Sequence, residues 1–387
     1  MDKNISDLIE ISRFYGKNKE YVIAGGGNTS FKTKDKLWVK ASGFRLSNIT
    51  KKGFVALDRN TLKKISKKIY CKDLQKREDE IKNDLAASKT DTSSSLRPSV
   101  EAMLHHIITN NFVVHTHSTV VNALMCSRFA EKYSDKLFGN KILYIPYTNP
   151  GYLLYKKIEK KLKLFEEKHN VQPKIILIQN HGVFVSANTI PEIKKLYEHV
   201  ISRIGEKISG KTDHIEYDIP SEHLNLVLQA INMIKGYRGS AFKIMHNSLI
   251  EHFVENKETF KQIADPFTPD IIVYCKSKYL YIDDEQTGTD TISARIQAFK
   301  KEVGYLPKII LIRKIGCVGI ESSAEKVGYI QDTFFDQMKI SYYSDSFGGP
   351  HFLEEDDIKF IENWEAEHYR QKVFQDSNSK TYGDAMH

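Results

Sequence analysis

Apolar residues recur at helical spacing from Ile5 to Tyr15, and Gly16 with Lys17 and Asn18 closes the run, so the chain opens on a predicted helix. The pattern then lapses. GGGNTSFKT from Gly25 breaks regularity, and LWVKASG from Leu37 reads as a short strand running into a turn. LDRNTLKKISKKIY from Leu57 returns to helical spacing, with Asp58 in a capping position. Residues 72–95 are charged and then rich in Ser and Thr, which predicts a surface excursion with a mobile end. RPSVEAMLHHIITN reads as a helix, with Pro98 suited to its first turn, and leads into an apolar strand, FVVHTHS from Phe112. ILYIPY from Ile142 is a predicted strand, Tyr152 to Lys168 a helix, and PKIILIQNHGVFVS from Pro173 two strands meeting at Gly182. PEIKKLYEHVISRIGEKI from Pro191 is again a helix. This alternation defines an α/β fold.

At 387 residues the chain exceeds what one ordinary core holds, which predicts more than one domain. Composition breaks at GKTDHIEYDIPSEH from Gly210, so residues 1–212 are expected to form a first domain and 213–387 a second α/β domain. The second half carries an echo of the first. PKIILIRKIGCVGIESS from Pro307 matches PKIILIQNHGVFVSANT from Pro173 at an offset of 307 − 173 = 134. The match includes the glycine and the helix that follows it, which favours a partial duplication over chance likeness of two buried strands. At the aligned position His181 becomes Ile315.

Hydrophobic residues make up 41% of the chain and charged residues 27%, an ordinary globular balance. Four cysteines, widely spaced and without a CxxC pair, point to neither a disulfide framework nor structural zinc, and fit a reducing compartment. The N-terminal MDKNISDLIEISRFYG lacks the basic flank and apolar run of a secretory signal, and no window reaches the ~18 apolar residues of a membrane span. A cytoplasmic protein without membrane contact is expected. The net charge of +8 is dispersed, with acids close to most lysines, as in KKIEKKLKLFEEKH from Lys156. That favours small anionic ligands mildly and lacks the basic stripe with stacking aromatics that nucleic acid requires.

His115 and His117 stand two residues apart in a predicted strand, so both imidazoles point to one side and can reach one ion. Such a pair alone is ordinarily two polar positions on a half-exposed face. His181, where a strand ends in His-Gly, and Glu101, just upstream of the HxH strand, change that reading. Three histidines and a carboxylate form a plausible ligand shell for a divalent metal, zinc above all. His105 and His106 are rivals as ligands, but His105, four residues on from Glu101, is expected to support it instead.

Together these residues resemble the class II aldolase/adducin family, in particular its rhamnulose-1-phosphate and fuculose-1-phosphate aldolases. The resemblance rests on GGGNTS (Gly25–Ser30), WVKASG (Trp38–Gly43), RPSVEAMLHH (Arg97–His106), VVHTHS (Val113–Ser118) and QNHGVFV (Gln179–Val185), in family order over roughly residues 1–210. Through FTPDIIVYCKSK from Phe267 and FIENWEAEHYRQK from Phe360, the second half resembles the end of the aldolase region in bifunctional aldolase/dehydrogenase proteins. No dehydrogenase segment follows in this sequence, so the oxidative function of those fusions is not implied.

The resemblance implies a class II aldolase-like three-layer α/β/α domain, then a second α/β domain read as a degenerate copy. It makes His115, His117 and His181 the metal ligands and Glu101 the catalytic acid/base, itself a ligand at rest. It also makes Asn28, Ser42, Gly43 and Ser99 contacts to a substrate phosphate, with Lys40 a further one. Without it, the three glycines from Gly25 read simply as a tight turn. The implied reaction is cleavage of a ketose 1-phosphate to dihydroxyacetone phosphate and an aldehyde, with Zn2+ or another divalent cation as Lewis acid. A second acid is needed for the aldehyde; Tyr147 in IPYTNPGY is the candidate, though packing explains it equally well. Alternatives are a sugar-phosphate epimerase or dehydratase on the same site, or a non-catalytic adducin-like scaffold. Family members form homo-oligomers, commonly tetramers, and a decayed copy in the second half is expected to lower the subunit number.

Overall fold

In the computed structural model, which describes residues 3–210, 214–284 and 287–364, the chain forms two compact units. The first takes in the chain up to Met125, then Phe129–Lys207 and the chain from Asn363; the second contains Cys126–Arg128 and Ile208–Glu362. The expected junction at residues 212 and 213, and the part of FIENWEAEHYRQK beyond Trp364, lie outside the described residues.

The first unit is built on seven strands: β1 (Asn28–Lys32), β2 (Lys36–Lys40), β3 (Phe54–Asp58), β4 (Phe112–Thr116), β5 (Leu143–Ile145), β6 (Ile175–Ile178) and β7 (Gly182–Ala187). They lie in the order β3-β2-β1-β4-β7-β6-β5, antiparallel except for the parallel pair β5–β6. On one face Leu37, Val39, Val113, Ile176, Ile178 and Phe184 pack against Leu62, Leu104, Leu154 and Ile158 of the helices Arg59–Lys67, Ala102–Ile107 and Tyr152–His169. The opposite face carries the helices Lys3–Gly16, Thr119–Met125 and Ile190–Gly205, with Tyr197 donating to the Val114 carbonyl. This is the three-layer arrangement expected of the family.

Several local expectations change. NTSFK is not irregular but a central strand: Thr29 and Phe31 face one side, while the polar Asn28, Ser30 and Lys32 share the other. Leu57 belongs to β3, whose last residue Asp58 caps the helix Arg59–Lys67 by accepting from Thr61 N–H. Within the excursion at 72–95, Asp73 caps a regular helix, Leu74–Ala87, so charge alone concealed an ordered element. Pro98 is not in a first helical turn. Arg97 and Pro98 pair with the end of β2 through Ser42 N–H to Arg97 O (2.9 Å) and the Ala41–Pro98 bridge, which delays the helix to Ala102 and leaves Glu101 at its N-cap.

The second unit has four strands, β8 (Ala241–Met245), β9 (Leu280–Ile282), β10 (Ile309–Ile312) and β11 (Gly316–Glu321), ordered β8-β11-β10-β9. That order reproduces β4-β7-β6-β5, with the same antiparallel and parallel pairings. The turns agree as well: Asn180 and Lys314, 134 residues apart, both take left-handed φ (+52° and +66°). Gln179 N–H bonds to Ile145 O as Arg313 N–H bonds to Ile282 O, each at 3.0 Å. The likeness therefore reaches beyond the echoed segment, from β4 through the helix Ile190–Gly205, matched by β8 through the helix Ala324–Ser344. Thr116 pairs with Val183 as Met245 pairs with Cys317, which sets Ile244 at the place of His115 and His246 at that of His117. Ile244 and Ile315 are buried in an apolar cluster with Ile231, Ile282 and Val318.

Candidate metal centre and anion cradle

Register brings the site together. Asn28 pairs with His115 across β1 and β4, and His115 with Phe184 across β4 and β7, so these side chains stand in one row on the face under the helix Ala102–Ile107. The His115 ring stacks on Phe184, with centroids 4.1 Å apart. His181 enters from the β6–β7 turn. There the sharp bend is made by Asn180, with φ +52°, and not by Gly182. Gly182 is required for another reason: a Cβ on it would lie 2.4 Å from the Thr116 carbonyl oxygen and 3.1 Å from His117 Cδ2. Absence of that atom lets β7 approach β4 closely enough for the three imidazoles to converge.

The donor atoms suit a cation. His115 Nδ1 lies 3.0 Å from the Val183 carbonyl, which can only accept, so Nδ1 carries the proton and Nε2 presents a lone pair. That lone pair faces His117 Nε2 at 2.9 Å and Glu101 Oε2 at 3.6 Å. Glu101 Oε1, 3.3 Å from His181 Nε2, is buried without a hydrogen-bond partner. One ligand nitrogen from each of His115, His117 and His181 lies within 4.8 Å of the others, and no other such group of three or more occurs among the described residues. Three imidazole nitrogens and a carboxylate oxygen gathered this closely in a buried site form a set that one cation can bridge. Imidazole with one carboxylate is a donor set suited to zinc and its neighbours. Burial pushes the Glu101 carboxyl up, while the Asn28 amide, donating to Oε2, favours its charged form. Burial likewise holds His115 well below the ordinary imidazole range, against the pull of Glu101.

The residues expected to contact phosphate lie beside this cluster. Ser30 pairs with Val39, and Ala41, two residues further along, bridges to Pro98. Ser42 donates through Oγ to Pro98 O at 3.3 Å, Ser99 Oγ accepts from Glu101 N–H at 3.2 Å, and Gly43 takes φ +88°, a conformation that favours glycine. Lys40 has a different setting from an open phosphate clamp: its buried ammonium donates to Gly25 O (2.8 Å) and Gly27 O (2.7 Å), tying down the glycine turn. Asn28 donates to Glu101 Oε2 at 2.5 Å. The Tyr147 hydroxyl donates to Asn149 Oδ1 at 3.1 Å, and its N–H to Gln179 Oε1 at 3.2 Å, two residues before His181. His105 is fully buried and touches Asn28 and Ser30. The signal for that contact was the alternation of Asn28, Ser30 and Lys32, legible only once NTSFK is known to be a strand.

The family model for the class II aldolase and adducin N-terminal domain matches residues 6–203, and the chain belongs to that family. It is 24% identical over 418 residues to YuxG of Bacillus subtilis (strain 168), described as an uncharacterized oxidoreductase. The match covers 96% of this chain and 58% of that protein, so the chain spans less than two thirds of the relative's length. The N-terminal class II aldolase domain of a conserved protein from Thermoplasma acidophilum is 25% identical, covering 53% of this chain and 94% of that one, with a TM-score of 0.45. An L-fuculose 1-phosphate aldolase is 16% identical, covering 60% and 97%, with a TM-score of 0.36. No helix among the described residues is long and apolar enough to cross a membrane.

Proposed function

We propose that this chain is a metal-dependent aldolase that cleaves a ketose 1-phosphate to dihydroxyacetone phosphate and an aldehyde. The observation that carries the reading is the convergence of His115, His117 and His181 on a buried carboxylate, Glu101, next to the Ser42–Gly43 and Ser99 turns. His115, His117 and His181 would hold the metal, zinc in the first instance, with Glu101 as a fourth, displaceable ligand. Bound there, the metal supplies Lewis-acid polarisation of the ketose carbonyl. Asn28, the Ser42 and Ser99 hydroxyls and the Gly43 N–H are assigned to the phosphate end of the substrate. They offer neutral donors, while Lys40 serves by fixing the glycine turn. Glu101 holds and moves the proton at the three-carbon fragment, and its burial strengthens that exchange once substrate displaces water. Tyr147 is assigned the aldehyde proton, which requires its hydroxyl to exchange Asn149 for substrate. A scaffold without chemistry has no use for three imidazoles and a carboxylate converging in a buried pocket. The oxidoreductase description of YuxG is not transferred, because this chain spans only part of that protein.

The test is release of dihydroxyacetone phosphate from a panel of ketose 1-phosphates by zinc-loaded protein, with EDTA-treated protein and His117→Ala as controls. Release that depends on metal and is lost in the variant is expected. No release from any member, with zinc bound stoichiometrically, would move the assignment to epimerisation or dehydration on the same site.

A further inference from the structure

Glu101 is held by a chain of hydrogen bonds whose direction can be worked out atom by atom. Asn28 turns one end of its amide to Glu101 Oε2 at 2.5 Å and the other to His105 Nε2, and His105 Nδ1 meets Ser30 Oγ at 2.7 Å. A carboxylate only accepts, so the Asn28 end facing Glu101 is the NH2 group. The end facing His105 is then the carbonyl oxygen, which also only accepts, so His105 carries its proton on Nε2. That leaves Nδ1 as a lone pair, and Ser30 Oγ–H donates to it. Every donor arrow therefore runs toward Glu101, and aligned hydrogen bonds of this kind strengthen one another in a buried setting. All four residues are buried, His105 entirely. Burial holds the His105 imidazole down to about 3, with Glu101 pulling it up and Lys32 pushing it down, so the ring is neutral and can lend a lone pair to Ser30.

We infer that His105 is a positioning residue that acts through Asn28: by presenting Nε2–H to the amide oxygen it prevents the amide from turning over, and so keeps the NH2 group on Glu101. The support of Glu101 expected of His105 then runs from its side chain through Asn28. It also gives Asn28 a second task beside the substrate. With the amide turned over, oxygen would face oxygen at Glu101 and the carboxylate would lose its orientation toward the three histidines. The inference rests on the proposal that Glu101 and the histidines hold a metal. Its consequence is that the His105 imidazole, whose hydrogen bonds go to Ser30 and Asn28 and not to a ligand of that metal, contributes to metal affinity, as partners behind a ligand do elsewhere.

The experiment is a cycle of variants read by zinc affinity, in competition with a chromophoric chelator, on the full chain. His105→Leu removes the donor at similar volume, His105→Gln restores an N–H near the position of Nε2, and Asn28→Ala removes the amide. His105→Leu is expected to weaken zinc binding about 10–100-fold. His105→Gln should recover most of that loss, and Asn28→Ala combined with His105→Leu should be no worse than Asn28→Ala alone. Equal losses in the Leu and Gln variants, or losses that multiply in the double variant, would overturn the inference, since independent sites add in free energy. A second readout needs neither zinc nor a variant that folds. In the metal-free wild type at pH 7, a long-range 1H–15N spectrum should show His105 as the Nε2–H tautomer, and the Nδ1–H tautomer would overturn the inference. If the wild type binds no zinc, the aldolase proposal falls while the tautomer still decides the role of His105.

Discussion

At the scale of single residues, two assignments depend on atoms that are absent as much as on those present. Gly182 matters for the space it leaves beside Thr116 and His117. Gly182→Ala should force β7 away from β4 at a cost of about 1–3 kcal/mol, the usual range for overpacking. Because the displaced segment carries His181, zinc affinity should fall in the same variant. Urea unfolding and chelator competition measure the two effects, and a variant with both unchanged would remove the close-approach argument. Its counterpart Gly316, with a Cβ position 2.4 Å from the Met245 carbonyl oxygen, should show the stability loss without any change in zinc affinity. Lys40 has a task that the residue type alone did not show: its ammonium ties the Gly25 and Gly27 carbonyls together.

At the scale of elements, long amphipathic helices and apolar strands were legible because their periodicity is local. β1 and the helix Leu74–Ala87 were not. β1 is polar on the side that carries Asn28, Ser30 and Lys32, and the helix is highly charged. Glu101 was legible as a residue but not in its place at a helix N-cap, since the pairing of Arg97 and Pro98 with the end of β2 is a long-range event. The β10–β11 pair offers a test of how such an element is held. Lys308 Nζ lies 2.7 Å from Glu321 Oε1, and the side chains are 22% and 13% exposed. Burial pushes the Glu321 carboxyl up, but Lys308 and the hydrogen bonds from Ser322 outweigh it and hold it below its ordinary value. A carboxyl lowered in the folded state contributes stability above its unfolded pKa of about 4.3 and loses it as pH falls through the lower folded value. Glu321→Gln should therefore cost about 1 kcal/mol at pH 7, screening allowed for, and the gap from wild type should close below about pH 4. Urea unfolding at pH 7, 5 and 3 checks this; a gap constant with pH would show that the ion pair does not contribute.

At the scale of the whole molecule, the second unit repeats the strand order and turn geometry of β4–β7 while placing Ile244 and Ile315 where the first unit has His115 and His181. One zinc per chain is expected from metal analysis of the purified protein, and none in His115→Ala/His117→Ala; two per chain would mean a second centre. The sequence by itself determined the α/β class, the family and the identity of the candidate ligands, because periodicity and motif order are written along the chain. It also showed the repeat where PKIILI recurs. Only the tertiary structure decided the rest: the row from Asn28 through His115 to Phe184, the task of Lys40, the extent of the repeat and the bond chain from Ser30 to Glu101. The physical reason is that these depend on strand register and on proton positions forced by neighbouring acceptors. Neither is carried by one segment alone; both arise only when distant segments meet in one buried site.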